Sequence, residues 1–380
     1  MQLRLSLAAL AIITSMSAQA EDFVSVQFLQ YDENENRTSV SAPSIMINKD
    51  FGTDYTLNVS FVADAVSGAS RNYYDASSGA SAFSRGANVD SADVEYSNVE
   101  YSDTRLAGSA LLTTRFENRD ELTVGISRST ESDFYSNEVS AEYMHWLSAS
   151  KNNSITAGVS YQSNQVLRQC PTIGVDGCSG ASESMDVTAL NAQVSYFQNI
   201  DSESYAKISL FYSNDDGYLS NPYLNVVRNY TEGGTAEIVA DTRPDSKIAS
   251  GVALKYANAL TDEIALHLSY RYYNDDWDIT SHTLDSDIYY QANADWLFKL
   301  GLRSYTQSEA KFYSGEKDYF TNEIYASSDQ RLSNFNALTY KTGLDYKIDK
   351  DLSVNFDANF YDQSTGLSAT YFVTGITYNF

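Results

Sequence analysis

The chain has 380 residues and a formal net charge of −25, with three histidines, four prolines, two cysteines and 30 tyrosines. A soluble enzyme of this length usually shows helical periodicity and more histidine, so the composition favours a β protein. The acidity argues against nucleic acid as a partner. After residue 20, no segment has the roughly 18 to 20 consecutive apolar residues of a membrane-spanning helix, which excludes a helical membrane protein.

The first twenty residues have the features of a signal peptide. Arg4 precedes an apolar segment over residues 5–13, and Ala18-Gln19-Ala20 is a small-residue cleavage site. We expect a cleaved signal peptide over residues 1–20 and a single domain over residues 21–380. An exported chain meets oxidising conditions, so Cys170 and Cys178 are expected to form a disulfide, with two free thiols as the alternative.

Apolar and polar residues alternate along most of the remaining chain. Near the C-terminus, Leu352, Val354 and Phe356 alternate with Ser353 and Asn355. Such runs last about 10 to 14 residues, the span of a tilted transmembrane strand, whereas ordinary strands have roughly five or six. We predict sixteen strands over residues 22–32, 37–48, 54–65, 104–117, 121–131, 134–147, 154–167, 184–199, 204–214, 247–260, 262–275, 282–292, 296–308, 334–348, 352–363 and 367–380.

The connections between the predicted strands alternate in length. Tight turns include residues 49–53, 117–120, 293–295 and 349–351, whereas the insertions at 66–103, 168–183, 215–246 and 309–333 are long. Short periplasmic turns and long external loops are typical of bacterial outer-membrane barrels. The sequence therefore predicts an all-β fold, a transmembrane antiparallel up-and-down β-barrel of about 16 strands. Because the segment over 90–103 alternates weakly, it is a candidate for an extra hairpin arm.

The end of the chain fits a terminal barrel-assembly signal. Gly375, Tyr378 and Phe380 follow the pattern polar, glycine, two free positions, apolar, free, aromatic, so we expect the barrel-assembly machinery as a partner during insertion. Aromatic residues near strand ends are expected at the membrane interfaces. These girdle candidates are Tyr143, Tyr256, Tyr270, Tyr272, Tyr290, Trp296, Tyr340 and Tyr346.

Six distinctive motifs occur along the chain. They are Tyr218-Leu219-Ser220-Asn221-Pro222-Tyr223, Arg243-Pro244-Asp245-Ser246-Lys247, Tyr270-Arg271-Tyr272-Tyr273-Asn274-Asp275-Asp276-Trp277, Ser281-His282-Thr283-Leu284, Phe312-Tyr313 and Asp64-Ala65-Val66-Ser67-Gly68-Ala69-Ser70. Together they resemble one uncharacterised family of predicted outer-membrane proteins that carries a domain of unknown function. The resemblance covers nearly the whole chain after residue 20. It implies a barrel in a Gram-negative outer membrane, in contact with lipid and lipopolysaccharide, and it implies no substrate.

The strand register opposite the apolar one carries charged residues, which we expect to face the lumen. The basic candidates are Lys207, Lys255, His267, Arg271, Lys299, Arg303 and Lys341, and the acidic candidates are Glu138, Glu142, Asp285, Asp287, Asp345 and Asp357. One interpretation is a transverse field that sets the ion preference of a water-filled pore. The other is that these charges pair with one another and occlude the barrel.

Two further kinds of site receive less support from the sequence. Acidic clusters at 215–216 and 275–278 suit divalent cations that bridge to lipid headgroups, but solvated loop charge is the favoured interpretation, and no calcium-loop spacing is present. His282, close to Asp275 and Asp276 in sequence, is the one candidate for a hydrolytic site at the rim. No nucleophile elbow, phosphate loop or cofactor motif is present, so we predict no enzyme, no cofactor and no metal centre.

The functional prediction is porin-like passage of small solutes through a polar lumen. The alternative is a closed barrel that acts as a surface scaffold or receptor through its long acidic loops. Sequence alone does not separate an open lumen from a plugged one.

Overall fold

The computed structural model describes residues 22–76, 85–169 and 182–380. The predicted signal peptide and both cysteines of the predicted disulfide lie outside these residues. Among the described residues, none of the helices has the length and apolar character required to cross a membrane.

Sixteen long antiparallel strands close into a barrel, which confirms the predicted fold class and strand number. The chain closes on itself because β1 pairs with β19, from Phe23 opposite Asn379 to Glu33 opposite Ala369. The strands in chain order are β1 Phe23–Glu33, β2 Thr38–Phe51, β3 Tyr55–Asp75, β4 Gly86–Asp90, β5 Val94–Arg115, β6 Glu121–Thr130, β7 Phe134–Trp146, β8 Asn153–Gln169, β9 Ser182–Asn199, β10 Ser204–Gly217, β11 Asn225–Arg228, β12 Thr235–Ala240, β13 Ser246–Ala259, β14 Ile264–Asp275, β15 Thr280–Gln291, β16 Trp296–Gln307, β17 Phe335–Lys347, β18 Leu352–Gln363 and β19 Ser368–Asn379. Of these, β4, β11 and β12 form a separate sheet.

The outer surface of the barrel is apolar, as the alternation predicts. Ile126 and Leu300 are each 63% exposed and Leu210 is 59% exposed, although all three are large hydrophobic side chains. A water-soluble monomer rarely exposes so extensive an apolar surface. Side chains alternate across each strand, so the polar residues between these positions face the lumen.

The two ends of the barrel differ, and we name them by their connections. The turn rim carries the described N-terminal end at Asp22, the C-terminus and seven turns of three to six residues, which include 52–54, 116–120 and 348–351. The loop rim carries the long connections 218–245 and 308–334. It also carries the connection between β3 and β5, which contains β4.

Strands β3 and β5 are longer than the sequence analysis predicts. They pair continuously from Tyr55 opposite Thr114 to Asp75 opposite Val94, well beyond the predicted end at residue 65 and start at residue 104. The segment 90–103 therefore extends an existing strand for most of its length and adds no strand to the barrel. The extension is stable because its tyrosines pack together, with the rings of Tyr73 and Tyr96 4.6 Å apart.

The long loops fold together into a cap over the loop rim. Its sheet has the strand order β11-β12-β4, so the 218–245 loop pairs with the chain that leads into β5. Strands β10 and β3, from which these segments start, are separated by five strands of the barrel wall. The 218–245 loop must therefore cross the mouth of the barrel to make this sheet.

Three apolar clusters fill the cap. Val226, Phe320 and Ala326 form one of them, between the two long loops. The other two reach strands of the barrel. One contains Val89, Val227 and Ile238 from the cap sheet together with Tyr73 of β3. The other joins Trp277 and Phe312, from the β15–β17 side, to Val166 of β8 and Val187 of β9. Since each of these two clusters connects strands on different sides of the barrel, the cap is a packed layer over the mouth and differs from a set of solvated loops.

Candidate functional site

The lumen beneath the cap contains a cavity of about 1730 Å³. Ser25 and Thr123, near the turn rim, line this cavity, and so do Leu224 and Arg331 of the cap. The cavity therefore extends along most of the barrel and meets the cap at its outer end. Six of the predicted lumen residues line it, namely Glu138, Glu142, Lys255, Arg271, Asp285 and Arg303.

On the wall formed by β15 to β18, charged side chains form ion pairs. Arg303 Nε lies 2.9 Å from Asp285 Oδ1, and Lys341 Nζ lies 3.1 Å from Asp285 and 2.5 Å from Asp287. Lys299 Nζ lies 2.9 Å from Asp345 and 3.6 Å from Asp357. The structure thus brings seven of the predicted lumen charges together in two adjacent groups, one of four residues around Lys341 and Asp285 and one of three around Lys299. We call the two groups together the paired wall.

Glycines on the intervening strands allow two of these pairs to form. A Cβ on Gly301 of β16 would lie 2.1 Å from Asp287 Oδ1 and 2.7 Å from Lys341 Cε. A Cβ on Gly343 of β17 would likewise lie 2.1 Å from Asp357 Oδ1. Asp287 and Lys341 are two strands apart, so their ion pair crosses directly over Gly301.

The wall formed by β10, β13 and β14 is different. Lys207 of β10 lies directly opposite Lys255 of β13, and within the described ranges neither side chain has an ion-pair partner. Arg271 of β14 makes no ion pair with any described residue, and its guanidinium lies 4.6 Å from the ring centre of Phe211. We call Lys207, Lys255 and Arg271 the basic strip. His267, on the same strand as Arg271, packs its ring 4.7 Å from that of Tyr289.

The two predicted lumen acids on β7 also lie outside the paired wall. Glu138 accepts a hydrogen bond of 3.0 Å from Gln162 Nε2, and Glu142 leans over Gly158 of β8. Neither forms an ion pair with the part of the chain that the structure describes. Among the described residues, ion pairs between predicted lumen charges therefore occur on the wall of β15 to β18, and the predicted charges of β7, β10, β13 and β14 form none.

A buried ion-pair network joins the two long loops of the cap, and we call it the cap latch. Arg243 Nε lies 2.8 Å from Asp241 Oδ1, and its Nη2 lies 2.9 Å from Asp329 Oδ2. Arg331 also binds Asp329, at 2.6 Å. Burial alone raises the pKa of Asp329, but the guanidinium groups of Arg331 and Arg243 outweigh it and hold the pKa below its ordinary value.

Asn225 fixes the 218–245 loop to the β3 arm. Its backbone N–H donates to Asn72 Oδ1 at 2.8 Å, and its side-chain amide donates to the carbonyl of Tyr73 at 2.8 Å. Asn225 is fully buried, so these bonds replace those that it would make to water. On the other long loop, Gln330 accepts a 2.8 Å hydrogen bond from Arg37 at the loop-rim end of β2.

The hydrolytic candidate at the rim does not assemble. His282 is exposed on the outer face of β15, where its Nδ1 lies 2.7 Å from the hydroxyl of Tyr270. Asp275 is buried on the inner side and accepts bonds from Tyr273 Oη at 2.8 Å and from Lys247 Nζ at 3.1 Å. His282 and Asp275 are close in sequence but lie on opposite faces of the wall.

In the acidic cluster at 275–278, two carboxylates accept hydrogen bonds from nearby backbone groups. Asp275 also accepts bonds from the backbone of Trp277 and Ile279, and Asp276 accepts one from the backbone of Ile248. A different group brings three carboxylates together at the loop rim. Oxygens of Asp103, Glu131 and Asp133 lie within 4.8 Å of one another.

The turn rim contains a polar node that the sequence analysis does not predict. Asp120 is buried and accepts bonds from His145 Nδ1 at 2.8 Å and from the Tyr143 hydroxyl at 2.7 Å. The bond from His145 is the largest of the contacts that hold the pKa of Asp120 well below its usual range. His145 and Tyr143 therefore stabilise a turn, and they lie far along the wall from His267 and His282.

The aromatic positions lie on the outer surface and at strand ends. Tyr340 is 55% exposed, and the rings of Tyr378 and Phe380 stack 6.3 Å apart at the turn rim. Trp296 packs against Tyr346 at 4.4 Å on the same rim. Gly375 lies where Asn355 and Gln27 from the two neighbouring strands cover β19.

The chain belongs to the family described as "Protein of unknown function (DUF3570)", which matches residues 2–379. This match confirms the family resemblance. A search of curated proteins gives no significant match.

Solved structures with a similar fold are outer-membrane proteins. CdiB from Acinetobacter baumannii has a TM-score of 0.52 and 10% identity, over 95% of this chain and 61% of that one. A bacterial polysaccharide outer membrane secretin has a TM-score of 0.50 and 8% identity, over 96% and 100%. The ferric enterobactin receptor PfeA has a TM-score of 0.45 and 10% identity, over 91% of this chain, which spans only 55% of the receptor.

At these identities the comparison describes the fold alone. The barrel fold is shared with that outer membrane secretin and with CdiB. In outer-membrane barrels short turns face the periplasm and long loops face the exterior. We therefore expect the turn rim at the periplasmic side and the loop rim at the external side.

Proposed function

We propose that the protein passes small polar solutes through its lumen and that the cap controls their entry. The observation that carries this proposal is the cavity of about 1730 Å³ between the turn rim and the cap. Its volume exceeds the roughly 300–1,000 Å³ of a typical small-molecule pocket, so a small solute fits with its hydration water. The outer-membrane location, in contact with lipid and lipopolysaccharide, is part of the same proposal.

The cap supports regulated passage rather than a permanently open pore. Three apolar clusters and the cap latch hold the long loops across the mouth, so a solute enters from outside only when these contacts separate. A latch made of a few buried ion pairs suits this role, because loss of one partner destabilises it strongly.

The second candidate is a closed barrel that acts as a surface receptor or scaffold. The observation in its favour is again the cap, because a packed loop layer presents a fixed surface to a partner. In that case the lumen would carry no current whatever the state of the latch.

Single-channel recording separates the two candidates. Arg243→Met leaves Asp241 and Asp329 buried without their shared guanidinium, and breaking a buried pair from one side costs about 3–5 kcal/mol. We expect conducting steps to become much more frequent than in the unmodified protein. Lys350→Met, at an exposed turn-rim position, removes the same charge and should leave gating unchanged. A folded barrel without steps in either the unmodified protein or Arg243→Met would favour the receptor.

A further inference from the structure

The inner wall distributes its charges unevenly. On the paired wall, Arg303, Lys341 and Lys299 each have at least one carboxylate within 4 Å. On the neighbouring wall, Lys207 and Lys255 have no such partner among the residues that the structure describes. A cation in the lumen is costly to leave unpaired, because it is partly removed from water.

The geometry of the basic strip increases this cost. Lys207 and Lys255 are directly opposite on adjacent antiparallel strands, where Cβ atoms lie about 4.5–5.5 Å apart and like charges destabilise the sheet. Ala253 precedes Lys255 by two residues and lies on the same face of β13. Arg271 of β14 is directly opposite Ala253. Three cations thus occupy one small area of three neighbouring strands.

An aromatic ring and a glycine fix the position of Arg271. Phe211 and Gly251 are opposite each other on β10 and β13, and a Cβ on Gly251 would lie 2.4 Å from the Phe211 ring. The missing side chain lets the ring lie across β13, where it contacts the guanidinium of Arg271 at 4.6 Å. A cation–π contact of this kind orients the guanidinium but leaves its charge uncompensated.

We propose that the basic strip is a binding site for the anionic group of the solute, a carboxylate or a phosphate. This inference rests on the proposed passage of solutes and names their chemical class. An anion between Lys207, Lys255 and Arg271 relieves the repulsion of the two ammonium groups and accepts charge-assisted hydrogen bonds from all three side chains. The guanidinium adds a planar fork that matches either anion.

The remaining lumen charges are compatible with this assignment. The carboxylates of the paired wall are held by their own cations, so they contribute little field at the basic strip. Glu142 lies on β7, three strands from β10, and leans over Gly158 on β8. Its carboxylate is close enough to attract Lys207, so Glu142 is the unpaired acid with which an anion on the strip competes.

Equilibrium binding tests the site without reference to conduction. Inorganic phosphate and succinate are titrated calorimetrically into the folded protein in detergent. We expect saturable binding that weakens about tenfold or more in Lys255→Gln and in Arg271→Gln, the usual effect of losing a hydrogen bond to a charged group. Lys350→Gln removes an exposed lysine at the turn rim and should bind as the unmodified protein does. The tighter of the two anions identifies the class of solute.

Absence of binding, or equal binding by Lys255→Gln and Lys350→Gln, would overturn the inference. The reversal potential in a potassium chloride gradient provides the second arm, in which Lys255→Gln should shift selectivity away from chloride. If anions bind in a lysine-dependent way but the barrel never conducts, the anion site is supported and the proposed passage is rejected. Current without anion preference, together with no binding, would reject the anion site and keep the passage.

Discussion

Glycines on the inner wall determine which charged side chains meet. Gly301 and Gly343 each lie between the two partners of an ion pair that spans three strands, and Gly251 lies under the ring that contacts Arg271. None of the three has the left-handed backbone conformation, so their role is space rather than flexibility. A side chain at any of these positions would push apart the groups above it.

The first prediction concerns Gly301. We expect Gly301→Ala to displace Asp287 and Lys341, because the new methyl group would overlap both, and to lower the free energy of unfolding by about 1–3 kcal/mol. Urea unfolding of the protein in lipid vesicles, followed by tryptophan fluorescence, measures the change. Gly315→Ala is the matched control, since its Cβ would approach nothing closer than 3.7 Å. Equal loss in the two variants would contradict the assigned role.

The second prediction concerns Asp329 and pH. Its pKa is lowered in the folded protein by Arg331 and Arg243 against the effect of burial, so its contribution to cap stability is complete above the ordinary carboxyl value of about 3.9. That contribution is lost as the pH falls below this value toward the lowered pKa. Asp241, which shares Arg243, is the other acid in contact with the latch.

Trp277 reports this loss, because it packs in the cap against Phe312 at 5.1 Å. In a variant with Trp146→Phe and Trp296→Phe, we expect its fluorescence to shift to longer wavelength as the pH falls below about 4, because the stabilisation by a carboxyl group with a lowered pKa is lost progressively below its ordinary value. Asp329→Asn should reduce the shift. An identical shift with and without Asp329 would contradict the assignment.

For single residues, the sequence predicts the strand face on which a side chain lies better than it predicts the ion-pair partner of that side chain. Alternation is sufficient to propose that Lys299 and Asp357 share a face, because the side-chain period of a strand is fixed. Their ion pair additionally requires the register of three strands and a glycine at residue 343. Neither can be read from two positions that are 58 residues apart in the chain.

At the scale of elements, the sequence predicts most strands within about two to three residues and underestimates β3 and β5. Their membrane-spanning parts alternate apolar and polar residues, which is the signal used for the prediction. Their extensions are rich in tyrosine, serine and charged residues, so the apolar alternation disappears although the pairing continues to Asp75. The extension depends on packing within the cap, which comes from loops far away in the chain.

The third prediction concerns the attachment of the cap to the β3 arm. Asn225→Ala removes the side-chain bond to the carbonyl of Tyr73 and leaves a buried acceptor unpaired, at a cost of about 1–3 kcal/mol. We expect faster amide hydrogen exchange throughout β11 and β12, with the exchange of barrel strands unchanged. Asn322→Ala, at an exposed position of the other loop, is the control. Uniform protection in both variants would show that Asn225 does not hold the cap.

At the scale of the whole molecule, the barrel follows from the sequence and the cap does not. Strand length, the alternation of short and long connections and the even strand number all derive from local patterns. The cap arises from contacts between loops that begin on different sides of the barrel, such as the pairing of β12 with β4. Porin-like passage and surface recognition are therefore both compatible with the sequence, and they differ in whether opening of the cap lets the lumen conduct.

A reversible lock on the cap tests the account most directly. Asp90 and Thr235 are both exposed and lie opposite each other in the antiparallel pair of β4 and β12, where Cα atoms are about 4.5–5.5 Å apart, within the range of a disulfide. Asp90→Cys combined with Thr235→Cys would join the 218–245 loop to the chain leading into β5. Asp90→Cys alone is the control for cysteine chemistry and for the native cysteines.

The measurement is single-channel conductance of this double variant, first oxidised and then reduced in the same bilayer. We expect conducting steps to be suppressed while the disulfide holds the cap across the mouth, and a reductant to restore them. The single variant should conduct equally under both conditions. Steps of the same size and frequency in the oxidised and reduced double variant would contradict control of the lumen by the cap.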